Sequence, residues 1–164
     1  MPTGDPQPRR LNGLERALIA IGACCVVLGG LVAAFTGPLE LARGSWLAAY
    51  LVLICGAAQY ALGRIPAWLA AGPLSRGQQW SQLVCWNLGN ALVITGTLMR
   101  TPVLVDTGAV LLVSGLVIAG GAVRRIDPPT RAAHVGGWAY RVVLLALAIS
   151  VPVGVLLAHL RNPG

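Results

Sequence analysis

The 164-residue sequence contains no lysine and few charged residues of any kind. Charged residues make up 10% of the chain and hydrophobic residues 56%, and the mean hydropathy is +0.74. A soluble domain carries far more charge, so this composition excludes an ordinary soluble fold and indicates a membrane protein. The net charge of +7 comes from arginines between apolar runs, a pattern of topology signals rather than nucleic-acid binding. We therefore expect the lipid bilayer as a partner, and no nucleic acid.

The chain also lacks the groups on which most enzymes and cofactor sites rely. His134 and His159 lie outside the middle of any apolar run, so two histidines cannot clamp a b-type haem. The four cysteines show no CxxC spacing and lie in apolar runs, which predicts buried free thiols. A copper(I) site formed by Cys24, Cys25 and Cys55 is the alternative. With no phosphate-binding loop or nucleophile–base pair, we predict no enzyme, catalytic residue, cofactor or metal.

Five apolar runs are long enough to cross a bilayer as helices, which takes ~20 residues each. We predict spans at about 17–36, 46–63, 80–99, 103–123 and 138–158. Tryptophan opens the second, third and fifth spans, as an interfacial aromatic belt predicts. The predicted fold is all-α: a polytopic transmembrane helical bundle of about five spans. It forms one domain at 14–160, with a disordered cytoplasmic tail at 1–13 and a short external tail at 161–164.

The arginines also predict how the bundle is oriented. Nine fall on the side of the N-terminus: Arg9, Arg10, Arg16, Arg64, Arg76, Arg124, Arg125, Arg131 and Arg141. Only Arg43, Arg100 and Arg161 fall on the other side. Because cytoplasmic loops are enriched in basic residues, the N-terminus is expected in the cytoplasm and the C-terminus outside. The predicted location is the cytoplasmic (inner) membrane, crossed several times.

Two connections between the spans have informative sequences. Arg100, Thr101 and Pro102 alone separate the third and fourth spans, and Pro102 suits the first turn of a helix. We therefore predict a tight antiparallel hairpin, with Thr101 as the cap of the fourth span. The connection at 64–79 is either a short interfacial helix that begins at Pro66 or a plain linker.

The third span carries amide side chains where apolar ones are expected. A helical projection at ~100° per residue places Gln79, Gln82, Asn87, Asn90 and Thr97 in one arc, which must face the bundle interior. Gln82, Asn87 and Asn90 either converge on a small ligand cavity or hold helices together by hydrogen bonds. The structural interpretation is favoured because neutral amides supply no acid, base or nucleophile. Gln59 of the second span is the expected partner in either case.

Asp106 is the only carboxylate within a predicted span, and an ionisable group there indicates function by default. It lies four residues after Pro102, however, near a helix N-terminus that favours an anion. Pairing with Arg100 is therefore the favoured interpretation. A proton-linked or cation-linked role is the alternative.

Small residues recur at spacings that allow two helices to approach closely. The fifth span carries such a series at every fourth position: Ala146, Ser150, Gly154 and Ala158. Shorter series occur in the first and third spans: Gly22, Gly30 and Ala34, and Gly89 and Gly96. These faces suit packing within the protein, a homo-oligomer or a partner helix.

The segments GSWLAAYLVLICGAAQYALG (44–63) and QxxxWNLGNxxxxxGT, beginning at Gln82, resemble uncharacterised multi-spanning membrane proteins of high-GC actinobacteria. They are also loosely similar to haem-copper oxidase-like membrane domains, but the intramembrane histidines of that chemistry are missing here. The resemblance implies membrane location and about five helices, and no activity.

Together these features predict a non-enzymatic accessory, scaffold or assembly component of a membrane complex. The alternative is a small transporter or ligand-binding membrane module. Its candidate polar cluster consists of Gln59, Gln82, Asn87, Asn90 and Asp106.

Overall fold

The computed structural model describes residues 11–68 and 74–123, together with Trp138, Val142 and Leu145. Throughout these residues the chain is helical or forms short connections, and this described part contains no strand. The predicted tails, apart from residues 11–13, lie outside the described residues. So does the fifth predicted span, apart from those three single helical positions.

The first helix, α1, spans Gly13–Thr36 and begins inside the segment predicted as a tail. Asn12 is the reason for the early start. Its side-chain oxygen accepts a hydrogen bond from the Glu15 amide, and the Glu15 carboxylate accepts one from the Asn12 amide, each at 2.8 Å. This reciprocal capping box satisfies two amides that would otherwise lack acceptors at the helix start. The tail prediction was therefore wrong for residues 12 and 13.

The second helix, α2, runs continuously through three segments: α-helical Gly44–Tyr50, π-helical Leu51–Ala58 and α-helical Gln59–Trp68. It includes the predicted second span and continues past it. Of the two alternatives for the connection at 64–79, a separate interfacial helix that begins at Pro66 was wrong, because Pro66 lies within α2. The plain-linker alternative was wrong for residues 64–68, which are helical. Proline lacks one N–H, and this close to the end of the helix that removes a single backbone bond.

The third helix, α3, spans Arg76–Met99, and its start lies four residues before the predicted one. Ser75 and Gln78 form a second capping box: the Ser75 hydroxyl accepts from the Gln78 amide at 3.3 Å, and the Gln78 side chain accepts from the Ser75 amide at 3.1 Å. Gln78 and Gln79, the first amides of the stretch QQWSQLVCWNLGN (78–90), therefore lie on the opening turns of α3.

A tight turn joins α3 to the fourth helix, α4, which spans Pro102–Val123. Arg100 ends α3 in the left-handed conformation, with φ 56° and ψ 39°, and its amide donates to the Gly96 carbonyl. The predicted three-residue hairpin is thus confirmed, with proline at the first position of α4. Thr101 differs from the prediction, since its hydroxyl contacts the Met99 carbonyl at 3.5 Å instead of capping α4.

Glycines allow the helices to pack closely in two pairs, α1 with α2 and α3 with α4. A Cβ added to Gly22 would lie 2.9 Å from the carbonyl oxygen of Gly56, and one added to Gly89 would lie 2.9 Å from that of Gly108. Helices that meet inside a membrane typically use such small residues.

The small-residue series predicted in α1 is divided between buried and exposed positions. Gly22 packs against α2, and Gly29, seven residues later, does the same. Gly30 and Ala34 are exposed, and nothing lies within 4 Å of a Cβ added to Gly30. In α3, by contrast, Gly89 and Gly96 both lie against α4, as expected. The predicted series in the fifth span lies outside the described residues.

One apolar cluster links the two helix pairs. It combines side chains of α2, α3 and α4: Ala58, Leu62, Trp86, Leu112, Leu116 and Ala119. Trp86 is its largest member and is 1% exposed. The α3–α4 pair is therefore packed against α2 through this tryptophan.

Among the described residues, three helical stretches are long and apolar enough to cross a membrane: Gly13–Thr36, Gly44–Arg64 and Pro102–Gly121. The outward faces of the helices agree with a membrane setting, because large apolar side chains there are at least half exposed: Val27, Leu31, Leu53, Val110 and Val117. α3 is 24 residues long, but its amides lower its hydropathy. The chain is thus an all-helical protein with helices suited to a membrane.

Candidate functional site

The polar residues of α3 are divided between its buried and half-buried faces. Gln82 and Asn90 are each 4% exposed, and Trp86 lies midway between them at spacings of four residues. Side chains four apart share one face of a helix, so these three form a single inward line. Asn87 is half-buried and lies beside this line. Sequence reasoning missed Trp86, although its spacing from Gln82 and Asn90 was a usable signal.

Asn90 joins two helices. Its Oδ1 accepts a hydrogen bond from the Tyr50 hydroxyl of α2 at 2.9 Å, and its Nδ2 donates to the Trp86 carbonyl of its own helix at 2.8 Å. The carboxamide thus uses both ends, one of them across the α2–α3 interface. Tyr50 was not among the predicted site residues, because the sequence does not reveal which position of α2 lies opposite Asn90.

Asn87 makes a different contact. Its Nδ2 donates to the Leu83 carbonyl of the same helix at 2.8 Å. Thr107 and Ser114 of α4 use their hydroxyls in the same way, each donating at 2.8 Å to the carbonyl four residues earlier. Such bonds satisfy a polar side chain in apolar surroundings without reaching another helix.

Gln59 occupies the interior of α2 and is 1% exposed. Its Nε2 is buried and has no hydrogen-bond acceptor in the structure. The expected partnership of Gln59 with Gln82 stays a prediction. The indole nitrogen of Trp86 is in the same state. In the part of the chain that the structure describes, Trp86 and Gln59 are the two largest fully buried side chains, and each keeps an N–H donor unused.

The end of the α3–α4 pair that carries the turn contains a contact that sequence reasoning missed. Arg43, just before α2, donates from its guanidinium to the carbonyl oxygen of Thr97 in the last turn of α3. The negative end of the helix dipole also favours a cation at this position. Asp106 is half-buried at the fifth position of α4. Its pairing with Arg100, and its alternative proton-linked or cation-linked role, stay predictions.

The cysteines do not form the alternative copper(I) site. Cys55 is buried, whereas Cys24 is exposed on α1. Among the residues that the structure describes, no three histidine, cysteine, aspartate or glutamate side chains come together as metal ligands.

No family model, curated protein or solved structure matches the chain. The predicted resemblance to actinobacterial membrane proteins therefore stays a prediction. The chemistry of the site follows from its geometry alone. A neutral polar line on α3 is bonded to α2 through Tyr50, and the N–H donors of Gln59 and Trp86 are unused.

Proposed function

We propose that the protein is a non-enzymatic scaffold or assembly partner for another helical protein of the cytoplasmic membrane. In this proposal the chain crosses the membrane five times, with the N-terminus in the cytoplasm and the C-terminus outside. The three apolar helical stretches support the membrane setting, and the unequal arginine distribution supports the orientation.

The observation that carries this proposal is the Tyr50–Asn90 hydrogen bond. The residue most suggestive of a polar site, Asn90, spends both ends of its carboxamide on contacts within the bundle. Polar side chains that fix helices against each other, together with exposed apolar faces, suit a protein whose work is helix packing.

The first experiment tests orientation with fusions after Gly164. We expect alkaline phosphatase to be active there, because it folds only outside the cytoplasm, and green fluorescent protein to be dark when exported through the general secretion route. The matched control is the same pair of reporters placed after Gly121, near the C-terminal end of α4, which the proposal places in the cytoplasm. There we expect alkaline phosphatase to be inactive and green fluorescent protein to be fluorescent. Fluorescence after Gly164 would refute five spans with an external C-terminus.

The second experiment tests the assembly role. The tagged full chain is purified in mild detergent after cross-linking in the membrane, and the gene is deleted in a parallel strain. We expect a helical membrane protein in a fixed ratio to the chain, and a fall in its level on deletion that the wild-type gene restores. A chain that purifies alone, with the levels of other membrane proteins unchanged by its deletion, would contradict the proposal.

A second candidate is a small transporter or ligand-binding membrane module. The unused donors of Gln59 and Trp86 favour it, because a bound molecule can supply the missing acceptor. Binding of this kind is compatible with a scaffold, since a ligand can also stabilise an assembly.

A further inference from the structure

Two buried nitrogen donors have no hydrogen-bond acceptor. Gln59 Nε2 and Trp86 Nε1 belong to side chains that are each 1% exposed, and neither nitrogen has a hydrogen-bond partner in the structure. A buried donor without an acceptor destabilises the fold, because it has lost its hydrogen bonds to water and gained none in return. Folded proteins rarely keep such groups, and an orphan donor indicates a missing water or ligand.

The two donors lie in neighbouring positions between the helices. Trp86 packs in one cluster with Ala58 and Leu62, and Gln59 directly follows Ala58 in α2. The Tyr50–Asn90 bond fixes the register of these antiparallel helices. From that bond, Gln59 lies at most ~13 Å along α2, since the π-helical turns between them shorten the rise, and the Trp86 backbone lies ~6 Å along α3 in the same direction.

The tilt of the side chains reduces the remaining distance along the helix axes between Gln59 and Trp86. Side chains on a helix tilt toward its N-terminus. In α3 this tilt carries the Trp86 indole toward the level of Gln59, and in α2 it carries the Gln59 carboxamide toward the level of Trp86. The antiparallel arrangement therefore brings the two side chains closer to one level of the α2–α3 interface.

The chemistry of this region selects its ligand. Both nitrogens only donate, so a group that satisfies them must accept. A carbonyl oxygen has two lone pairs and brings no donor of its own, whereas water would bring two new O–H groups into an apolar cluster. A charged group would be costly beside the aliphatic side chains of Leu112 and Leu116.

We propose that Gln59 and Trp86 bind the carbonyl oxygen of an uncharged, largely apolar molecule between α2 and α3. This goes beyond a scaffold role and names a ligand class for the interior. Gln59 lies only five residues, or ~7 Å, from Arg64 at the end of its membrane stretch. That depth allows two sources for the carbonyl: the ester group of a membrane lipid, or a free ketone-like or amide-like compound.

The test uses the full chain, labelled with ¹⁵N-tryptophan, in nanodiscs of a diether phospholipid that contains no ester carbonyl. The probe is 2-undecanone, which does not react with thiols, and its matched control is undecane. We expect the ketone to move the Trp86 indole proton resonance downfield with saturation, and the alkane to leave it in place. The half-exposed Trp80 is the internal control, and Trp86→Phe assigns the signal.

A variant separates a specific site from general partitioning. Gln59→Leu removes one donor at similar volume and should weaken the ketone response roughly tenfold, as the loss of one hydrogen bond predicts. The other tryptophan resonances report whether this variant keeps its fold. If Gln59→Leu does not accumulate, the comparison of ketone with alkane on the wild-type chain still decides.

The source of the carbonyl is distinguished by repeating the measurement in a diacyl phosphatidylglycerol. A downfield Trp86 signal before any ketone is added assigns the site to a lipid ester, and a response to ketone alone assigns it to a free compound. The proposal is wrong if the signal is already downfield in ketone-free diether nanodiscs, or if ketone and alkane act alike. Neither of these outcomes would contradict the proposed assembly role, because that role concerns a protein partner.

Discussion

At the scale of single residues, Asn87 and Asn90 show how two identical side chains on one helix differ in consequence. They are three residues apart, which rotates one from the other by ~60° around the helix. Asn90 faces α2 and meets Tyr50, whereas Asn87 returns its amide to Leu83 of its own helix. Only Asn90 therefore contributes to the specificity of helix packing.

The Tyr50–Asn90 bond should be measurable by a double-mutant cycle. Tyr50→Phe and Asn90→Leu each remove one partner, and the double variant removes both. We expect a coupling energy of roughly 0.6–2 kcal/mol, the range for hydrogen bonds between helices in membranes. The free energy of unfolding by steric trapping in bicelles provides the measurement.

The matched control for that cycle is Asn87→Leu. Its amide contacts only its own helix, so combining Asn87→Leu with Tyr50→Phe should give additive changes in unfolding free energy. Equal coupling of Tyr50 to both asparagines would contradict the specific contact and point to a general effect of amides on α3.

The sequence allowed the inward direction of Gln82 and Asn90 to be predicted, because a helical projection needs only spacing. It did not allow Tyr50 or the unused Trp86 indole N–H to be found. Those depend on the register between two helices, which the long connection after α2 leaves undetermined in the sequence.

At the scale of the helices, close packing depends on which glycine faces the neighbour. Gly22→Leu should destabilise the protein by roughly 1–3 kcal/mol, because its side chain would meet the Gly56 backbone. Gly30→Leu is the control: it adds the same side chain to the same helix, into open space. Unfolding free energies in bicelles should differ accordingly, and equal losses would contradict the α1–α2 packing.

The turn between α3 and α4 stores a small local strain. Arg100 has φ 56°, a conformation that costs residues with a Cβ roughly 1 kcal/mol relative to glycine. Arg100→Gly should therefore stabilise the chain by up to about 1 kcal/mol in the same unfolding measurement.

Arg100→Ala distinguishes this strain from the loss of the guanidinium, because alanine removes the charge and keeps the Cβ. It should give no gain in unfolding free energy. If alanine stabilised as much as glycine, the effect would come from the arginine side chain and not from the backbone.

Helix boundaries were predicted less well than helix existence, for a physical reason. The starts of α1 and α3 depend on short-range capping by Asn12 and Ser75, which hydrophobicity alone does not reveal. The π-helical segment of α2 depends on backbone bonding that no residue in LVLICGAA specifies by itself. The α3–α4 hairpin was predictable because proline and a short connection leave few alternatives.

At the scale of the whole molecule, we expect α3 to enter the membrane only together with its neighbouring helices. It packs extensively on α4 and contributes Trp86 to the shared core, yet it is not among the three stretches apolar enough to cross a membrane. Its amides are satisfied in part by contacts with its neighbours. The all-helical membrane class followed directly from composition, whereas the fifth span and the orientation stay predictions.

This dependence predicts how α3 enters the membrane. In a glycosylation-mapping assay of translocon insertion, α3 alone should insert less efficiently than α4 alone, since amides disfavour partition into lipid. Replacing Gln82, Asn87 and Asn90 with leucine should remove the difference. Equal insertion of the unmodified helices would contradict the idea that α3 relies on its neighbours.

The π-helical segment Leu51–Ala58 has a consequence for the rotational phase of α2. In a regular α-helix two residues nine positions apart, such as Tyr50 and Gln59, lie on opposite sides, ~180° apart. In α2, however, the Tyr50 and Gln59 side chains both face the interior of the bundle. The reason is that bonds from i to i+5 widen the turns and reduce the rotation per residue. Deleting one residue from this segment would turn one end of α2 away from the bundle. The number of residues in the segment, more than their identity, determines which side chains of α2 meet α3.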